Sequence, residues 1–484
     1  MISPIIKNIL LIIFLLTVNC QLPTAPLFAQ SPTNSVWTLQ QCIDHALKNN
    51  IQIKQNQLGV ELSKEKYLQT IAGMLPSLNG SATHNYSYGR TIDIFTNQFI
   101  NDRTQSNNFS LSSNITLFNG FELQNTRIKS QYDYMSSKFD AEKNINDITL
   151  NIVSSYLQIL FNQESVDITN KRLDGTKLQR DRTKKIVDAG GLPQGSFLDI
   201  EAQVASDELQ SVNAQNQLDL SYLNLIQLLD LDSVKNFQIG KPDFSNVNIN
   251  SVLVNPSEVF ATAVKTQPEI KSSEYKMLSA EKGLSVARGA MSPRLTLSGS
   301  FGTGYSDNRQ RQVGSTLVGY NPIVSTDTAK VFYSPLYIYD YEKTPFRDQL
   351  NDNFNKFIGF NLTVPLFNGW QTNASIKRAK ISLQNARLNE QLTKNQLNKT
   401  IQQSYADAVA SYKKYNASQK SVDALKESFK YTEQKFNVGL LNSVDYITAK
   451  NNLTKAESDL LQAKYEYIFK TKILDFYQGK PLTF

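Results

Sequence analysis

The chain has 484 residues, more than one hydrophobic core usually serves, yet only 40% are hydrophobic, at or below the low end for globular domains. The net charge of +7 is modest for that length and spread without a Lys/Arg block, which argues against a nucleic-acid partner. With two distant histidines (His45 and His84), two cysteines, no metal-ligand spacing and no Gly-rich phosphate loop, nothing supports catalysis or a cofactor, and the chain reads as a non-enzyme.

The predicted elements begin with a targeting segment. Lys7 precedes the apolar run ILLIIFLLTV (9–18), and PLFAQ (26–30) offers small Ala29 for cleavage, so 1–29 reads as a signal peptide. The segment LTVNC (16–20) is a poor lipoprotein box, and cleavage after Ala29 removes Cys20. Cys42 is then the lone thiol of an exported chain, without an internal disulfide. No later stretch reaches 18 apolar residues, so the protein is either soluble after export or crosses a membrane as strands.

A helix is predicted over 38–73, then a hairpin over about 77–117. In 77–89, Leu78, Ala82, Tyr86 and Tyr88 face one way and Ser and Asn the other; 109–117 alternates Phe109, Leu111, Ile115 and Leu117 with Ser, Asn and Thr. The hairpin leaves through Leu117, Phe118, Asn119 and Gly120 into a long helix. A turn at about 188–196 and a helix over 197–232 complete a first repeat, 30–255. The second repeat, 256–484, has the same order. It has a helix over about 256–290, strands 294–305 and 358–366 within a hairpin of about 294–366, and an exit through Pro365, Leu366, Phe367, Asn368 and Gly369. A long helix, a turn at about 437–443 and a helix over 444–479 follow. The paired LFNG exits mark one tandem duplication. The last helix carries a seam of Ala449, Leu453, Ala456, Leu460, Ala463, Tyr467 and Leu474, the steps of four and three of a coiled coil.

Strands of this length, apolar on one face and Ser/Thr/Asn on the other, suit a membrane barrel and equally a half-exposed soluble sheet. Four strands cannot close a barrel. Three copies supply about twelve, the smallest symmetric closure with a useful lumen, which predicts a homotrimer. Each long helix, about 65 residues, would extend it by a tube of roughly 100 Å.

The layout, the exits TLFNGF (116–121) and PLFNGW (365–370), the stretch VGLLNSVDYITAKNNLTKAESDLLQAKYEY and the terminal LDFYQG resemble the TolC-type outer-membrane efflux family. The resemblance covers about 38–480. It implies a mixed all-α plus β-barrel fold: a TolC-like homotrimer with a 12-stranded barrel in outer-membrane lipid and a coiled-coil tunnel in the periplasm. It also implies two partners, a periplasmic adaptor (membrane fusion) protein and an inner-membrane transporter of RND or ABC type, or docking in type I secretion. Each LFNG resembles the point where a strand turns into a tunnel helix. Val438, Gly439 and Leu440 match the family's adaptor-docking tip, and Gly191 and Leu192 are the first-repeat counterparts, in a turn read as one residue longer. The plainer reading is that these glycines end helices through positive φ. Asp445 matches an acidic ring at the tunnel's narrow end, Thr448 stands where a second acid is common, and Asp199 is a first-repeat candidate for this periplasmic gate.

The segment 306–356, rich in Tyr, Asp, Asn and Pro, reads as a long extracellular loop. An exported coiled-coil stalk or adhesin is the main alternative function, and a diffusion porin a weaker one.

Overall fold

The computed structural model describes residues 36–92, 97, 99–101, 103–231, 237–242, 255–324 and 331–480. The predicted signal segment and Cys20 lie outside them. Two helices of 67 residues dominate, α3 (Glu122–Asp188) and α8 (Gln371–Asn437). Neither contains Pro, α3 has a single Gly and α8 none, so nothing interrupts the ladder for about 100 Å. Each folds back as a helix of 35 residues, α4 (Gln194–Leu228) and α9 (Ser443–Tyr477).

The helices predicted over 38–73 and 256–290 are each broken in two. The first pair is α1 (Leu39–Asn49) and α2 (Ile51–Ala72); the second is α5 (Pro256–Thr266) and α6 (Pro268–Gly289). At the first break Asn50 is extended (ψ 126°). Its side-chain oxygen caps Gln52 and Ile53 N–H at 2.9 and 3.2 Å, and its amide donates to the Leu228 carbonyl at 2.9 Å. At the second, Gln267 precedes Pro268, and the Pro ring drives it out of the helical region to ψ 132°.

The strands form a four-stranded antiparallel sheet in the order β10–β7–β5–β2, built from β2 (Ser77–Ser87), β5 (Thr104–Phe118), β7 (Arg294–Ser306) and β10 (Asn355–Thr363). The register lays the predicted apolar sets on one face: Ala82 opposite Phe109, Leu111 opposite Phe301, Ile115 opposite Leu297 and Leu297 opposite Phe360. The other face is polar, with Ser81 and Ser110 hydroxyls 2.7 Å apart. Two details depart from expectation. A bulge skips Leu117, so Phe118 takes its place opposite Leu295. The last strand also ends at Thr363, three residues early, because Pro365 has no N–H for the ladder.

Segment 306–356 is not an irregular loop. It holds a hairpin of β8 (Gln310–Val324) and β9 (Val331–Lys343), then a short helix α7 (Phe346–Asp352). Pro322 and Pro335 mimic loop signals but are tolerated because each strand of this two-stranded ribbon has a free edge. Among the described residues of its counterpart lies the short pair β3 (Arg90–Ile92) and β4 (Phe99–Asn101).

The main core lies midway along the helices. The two-residue strands β1 (Val36–Trp37) and β6 (Gln238–Ile239) pair in parallel beside α1, closing over Cys42, Ile43, Tyr156, Leu160, Leu225 and Ile468. The Tyr156 hydroxyl donates to the Gly240 carbonyl at 2.6 Å. Burial pushes the Cys42 thiol up to about 12. In the last helix Ala456, Ala463, Tyr467 and Leu474 of the predicted seam are buried, while Ala449, Leu453 and Leu460 are half-buried.

Candidate functional site

The two strand-to-helix junctions share one backbone solution. Gly120 and Phe121 have φ of +65° and +61°, and Gly369 and Trp370 have +61° and +67°. Two successive left-handed residues reverse the chain from strand into helix, and Gly takes the first because it has no Cβ to clash. The preceding Asn caps the helix in both: Asn119 Oδ1 accepts from Leu123 N–H at 3.5 Å, and Asn368 Oδ1 from Thr372 N–H at 3.4 Å. Their surroundings differ. A Cβ on Gly120 would lie 2.4 Å from Ser292 Cβ and 2.6 Å from the Gly289 carbonyl, whereas one on Gly369 would meet open space. Asn119 is buried, while Leu366, Phe367 and Trp370 are exposed.

At the opposite end, α3–α4 and α8–α9 turn over side by side. The left-handed residues are Gly190 (φ +73°) and Gly439 (φ +76°), each one step after its helix's last carbonyl-paired turn. Gly191 and Leu440 N–H then donate to the Ile186 and Lys435 carbonyls at 2.9 and 3.0 Å. The helices that follow have their N-caps at Pro193 and Asn442. The turns are therefore equal in length, contrary to the sequence reading, because the first glycine of the GG pair takes the cap. In this register Gly191 matches Leu440, Leu192 matches Leu441, and Asp199 matches Thr448.

The tips pack on each other through Ile200, Phe436 and Tyr446, with the Phe436 and Tyr446 rings stacked at 4.7 Å. Ser443 Oγ donates to Asp199 Oδ2 at 2.9 Å, tying α9 to α4. Asp445 is exposed in the first turn of α9; its N–H donates to Asn442 Oδ1 at 2.8 Å, and the helix N-terminus favours its charge. Thr448 is also exposed. Val438 (70% exposed) and Leu440 (77%) stand out from the turn.

A buried polar cluster above the tips was not foreseen. Arg172 on α3 pairs with Asp207 on α4 at 2.9 Å, both side chains almost fully buried. Asp207 also accepts from Thr176 Oγ1 and Gln203 Nε2, each at 2.6 Å. From α9, Lys450 Nζ donates to Thr176 Oγ1 at 2.7 Å and Asn451 accepts from Arg172. Burial lowers the Lys450 pKa, the Arg172 charge adding to this and Asp207 opposing it. Interior Arg, Asp and Lys at seam positions are the only sequence signal for it, and a helix face alone does not distinguish them from solvated charges.

Side by side, the elements form one layer. α6 lies between α3 and α8, and α2 lies on the far side of α3; lower down, α9 lies between α8 and α3, with α4 beyond. Among the described residues no helix is long and apolar enough to cross a membrane.

This architecture is that of a known class. Residues 42–230 and 260–471 match the family model for outer membrane efflux proteins, and the chain belongs to that family. It is 19% identical over 438 residues to the outer membrane efflux protein BepC of Brucella suis, covering 89% of this chain and 83% of that one. It is 21% identical over 442 residues to the outer membrane protein TolC of Escherichia coli, covering 89% and 80%. The solved structure of CusC superposes with a TM-score of 0.75 at 17% identity, over 95% of this chain and 98% of that one. The chain is thus a TolC-type outer-membrane efflux channel protein with its helical part in the periplasm, of a transport family and not an enzyme family.

Proposed function

We propose that three copies close into a ring, a twelve-stranded barrel continued by a helical tunnel of about 100 Å, that serves as the passive exit duct of a tripartite efflux pump or type I secretion system. A periplasmic adaptor binds the tips, and an inner-membrane transporter of RND or ABC type supplies the energy. Each chain contributes two repeats, 30–255 and 256–484.

The observation that carries this reading is a pair of unfilled edges. Among the described residues, β2 and β10 each lack a neighbour on one side. The helical edges α2 and α8 carry matching exposed stripes, Ile51, Leu58 and Leu62 on one and Ile381, Leu388 and Leu392 on the other. Within the chain, Tyr275 of α6 packs against Tyr132 and Phe139 of α3 with ring centroids 6.0 and 5.6 Å apart. Counted from the paired junction residues Phe121 and Trp370, Ile381 and Leu388 occupy the positions of Tyr132 and Phe139. Counted from Met74 and Met291, Leu58 occupies that of Tyr275. The chain's own α3–α6 contact is thus the template for α8 of one copy meeting α2 of the next. The Gly369 junction, open in one copy, would then receive a helix end as Gly120 does.

In this reading Val438, Gly439 and Leu440, with Gly191 and Leu192, form the adaptor surface, and Asp445, Thr448 and Asp199 line the narrow periplasmic gate. One experiment tests both sites, comparing drug susceptibility in cells with single-channel conductance in planar bilayers. The double substitution Val438→Asp, Leu440→Asp is expected to keep conductance but make cells as susceptible as a deletion strain; unchanged susceptibility removes these residues from docking. Asp445→Ala is expected to weaken block by divalent cations, and unchanged conductance and block remove it from the gate.

A further inference from the structure

Among the described residues, the hairpin β8–β9 has little support within its own chain. A two-stranded ribbon is marginally stable at best in water. Among the described residues no element besides its own strands forms an extended contact with it, and ion pairs tie its base, where Arg311 pairs with Glu342 at 2.5 Å and Asp348 at 3.2 Å. Its register gives the two faces different characters. Tyr333, Tyr337, Tyr339 and Tyr341 alternate on β9 and share one face, joined by Tyr320 opposite Pro335. The Tyr337 and Tyr339 rings lie 6.3 Å apart. The other face carries Ile323, Leu336 and Ile338. All these side chains are exposed.

We infer that the hairpins of neighbouring copies pack on one another, the tyrosine face of each against the aliphatic face of the next. This rests on the ring proposed above and adds to it a contact outside the barrel and tunnel. The argument for a second copy as occupant is the pairing of unlike apolar faces. A cyclic ring of identical chains needs a head-to-tail interface, hence two different, complementary surfaces on each copy. A tyrosine ladder on one side and an aliphatic patch on the other of the same thin ribbon meet that requirement, and neither face is charged along the stretch Leu336–Tyr339.

The dimensions permit it. Twelve strands about 4.8 Å apart, tilted about 40°, make a ring about 24 Å across, so three hairpin bases stand roughly 21 Å apart. Each strand of the hairpin is about 43 Å or more in length, and an inward lean of about 6 Å brings neighbouring ribbons to roughly 10 Å apart, where their side chains meet across the angle that the three-fold axis sets. Aromatic and aliphatic side chains then cover each other, and the ribbon gains the second layer it lacks alone.

Cysteine crosslinking tests the inference. In full-length protein in isolated outer membranes, the double substitution Tyr337→Cys, Ile338→Cys places a thiol on each face; adjacent residues on opposite faces do not bridge within one chain. A short bismaleimide is expected to convert most of this variant into covalent species of two and three chains on denaturing gels. The unsubstituted protein, whose Cys42 is buried, should stay a monomer there. The native mass of each variant is measured in parallel. A mass of three chains without covalent species overturns the hairpin contact and leaves the ring intact. A mass of one chain overturns the ring, and the hairpin contact with it.

Discussion

Gly120 shows how much a single missing Cβ decides. Its left-handed backbone lets the chain leave the sheet, and its bare Cα lets the end of α6, at Gly289 and Ser292, come against the junction. A side chain there meets both backbone strain and a clash with main-chain atoms that cannot rotate away. Gly120→Ala should therefore cost about 2–5 kcal/mol, the sum of a left-handed penalty and overpacking. A lowered denaturant midpoint of the detergent-solubilised protein would register it, and an unchanged midpoint would show that the junction is not constrained as described. The Asn-Gly pair was legible in the sequence because it occurs twice in the same setting. The choice of Gly190 over Gly191 as the helix-ending residue was not, since two adjacent glycines offer the same φ freedom and only the hydrogen bonds to Val187 and Ile186 decide between them.

Among the elements, the helices were the easiest to foresee and their breaks the hardest. Long runs without Pro and nearly without Gly propagate once nucleated, so α3 and α8 follow from composition. The break at Asn50 depends on partners far along the chain: Leu228 accepts from its side chain, and Asp230 accepts from Ile51 N–H at 2.8 Å. No local pattern announces such a tertiary cap. The β8–β9 hairpin was hidden by its prolines, although its alternate tyrosines carry period two. Between elements, the Arg172–Asp207 pair holds α3 to α4, while Lys450 and Asn451 bring in α9. Removing one partner of a buried pair leaves the other charge uncompensated. Asp207→Ala should destabilise the folded chain by about 3–5 kcal/mol, and adding Arg172→Met should recover most of the loss. Thermal unfolding of the three proteins checks this; a double variant no more stable than Asp207→Ala alone would contradict it.

For the whole molecule, repetition is the organising fact. One layer carries, between its two halves, the contact that its outer edges lack among the described residues, with Tyr275 between Tyr132 and Phe139 showing how Leu58 would sit between Ile381 and Leu388 of a neighbour. The open sheet edges, the exposed stripes and the unsupported hairpin are separate features that the proposed ring would satisfy together. They also explain why a chain only 40% hydrophobic can fold to this shape. In the proposed ring, much of its apolar surface would serve lipid and its own copies instead of a private core. The central claim is the closed ring of three. Its most direct test is the native mass of the protein extracted by detergent from isolated outer membranes, by light scattering corrected for bound detergent. A mass of three chains is the predicted result. A mass of one chain, with β2 and β10 still unpaired, would contradict the account.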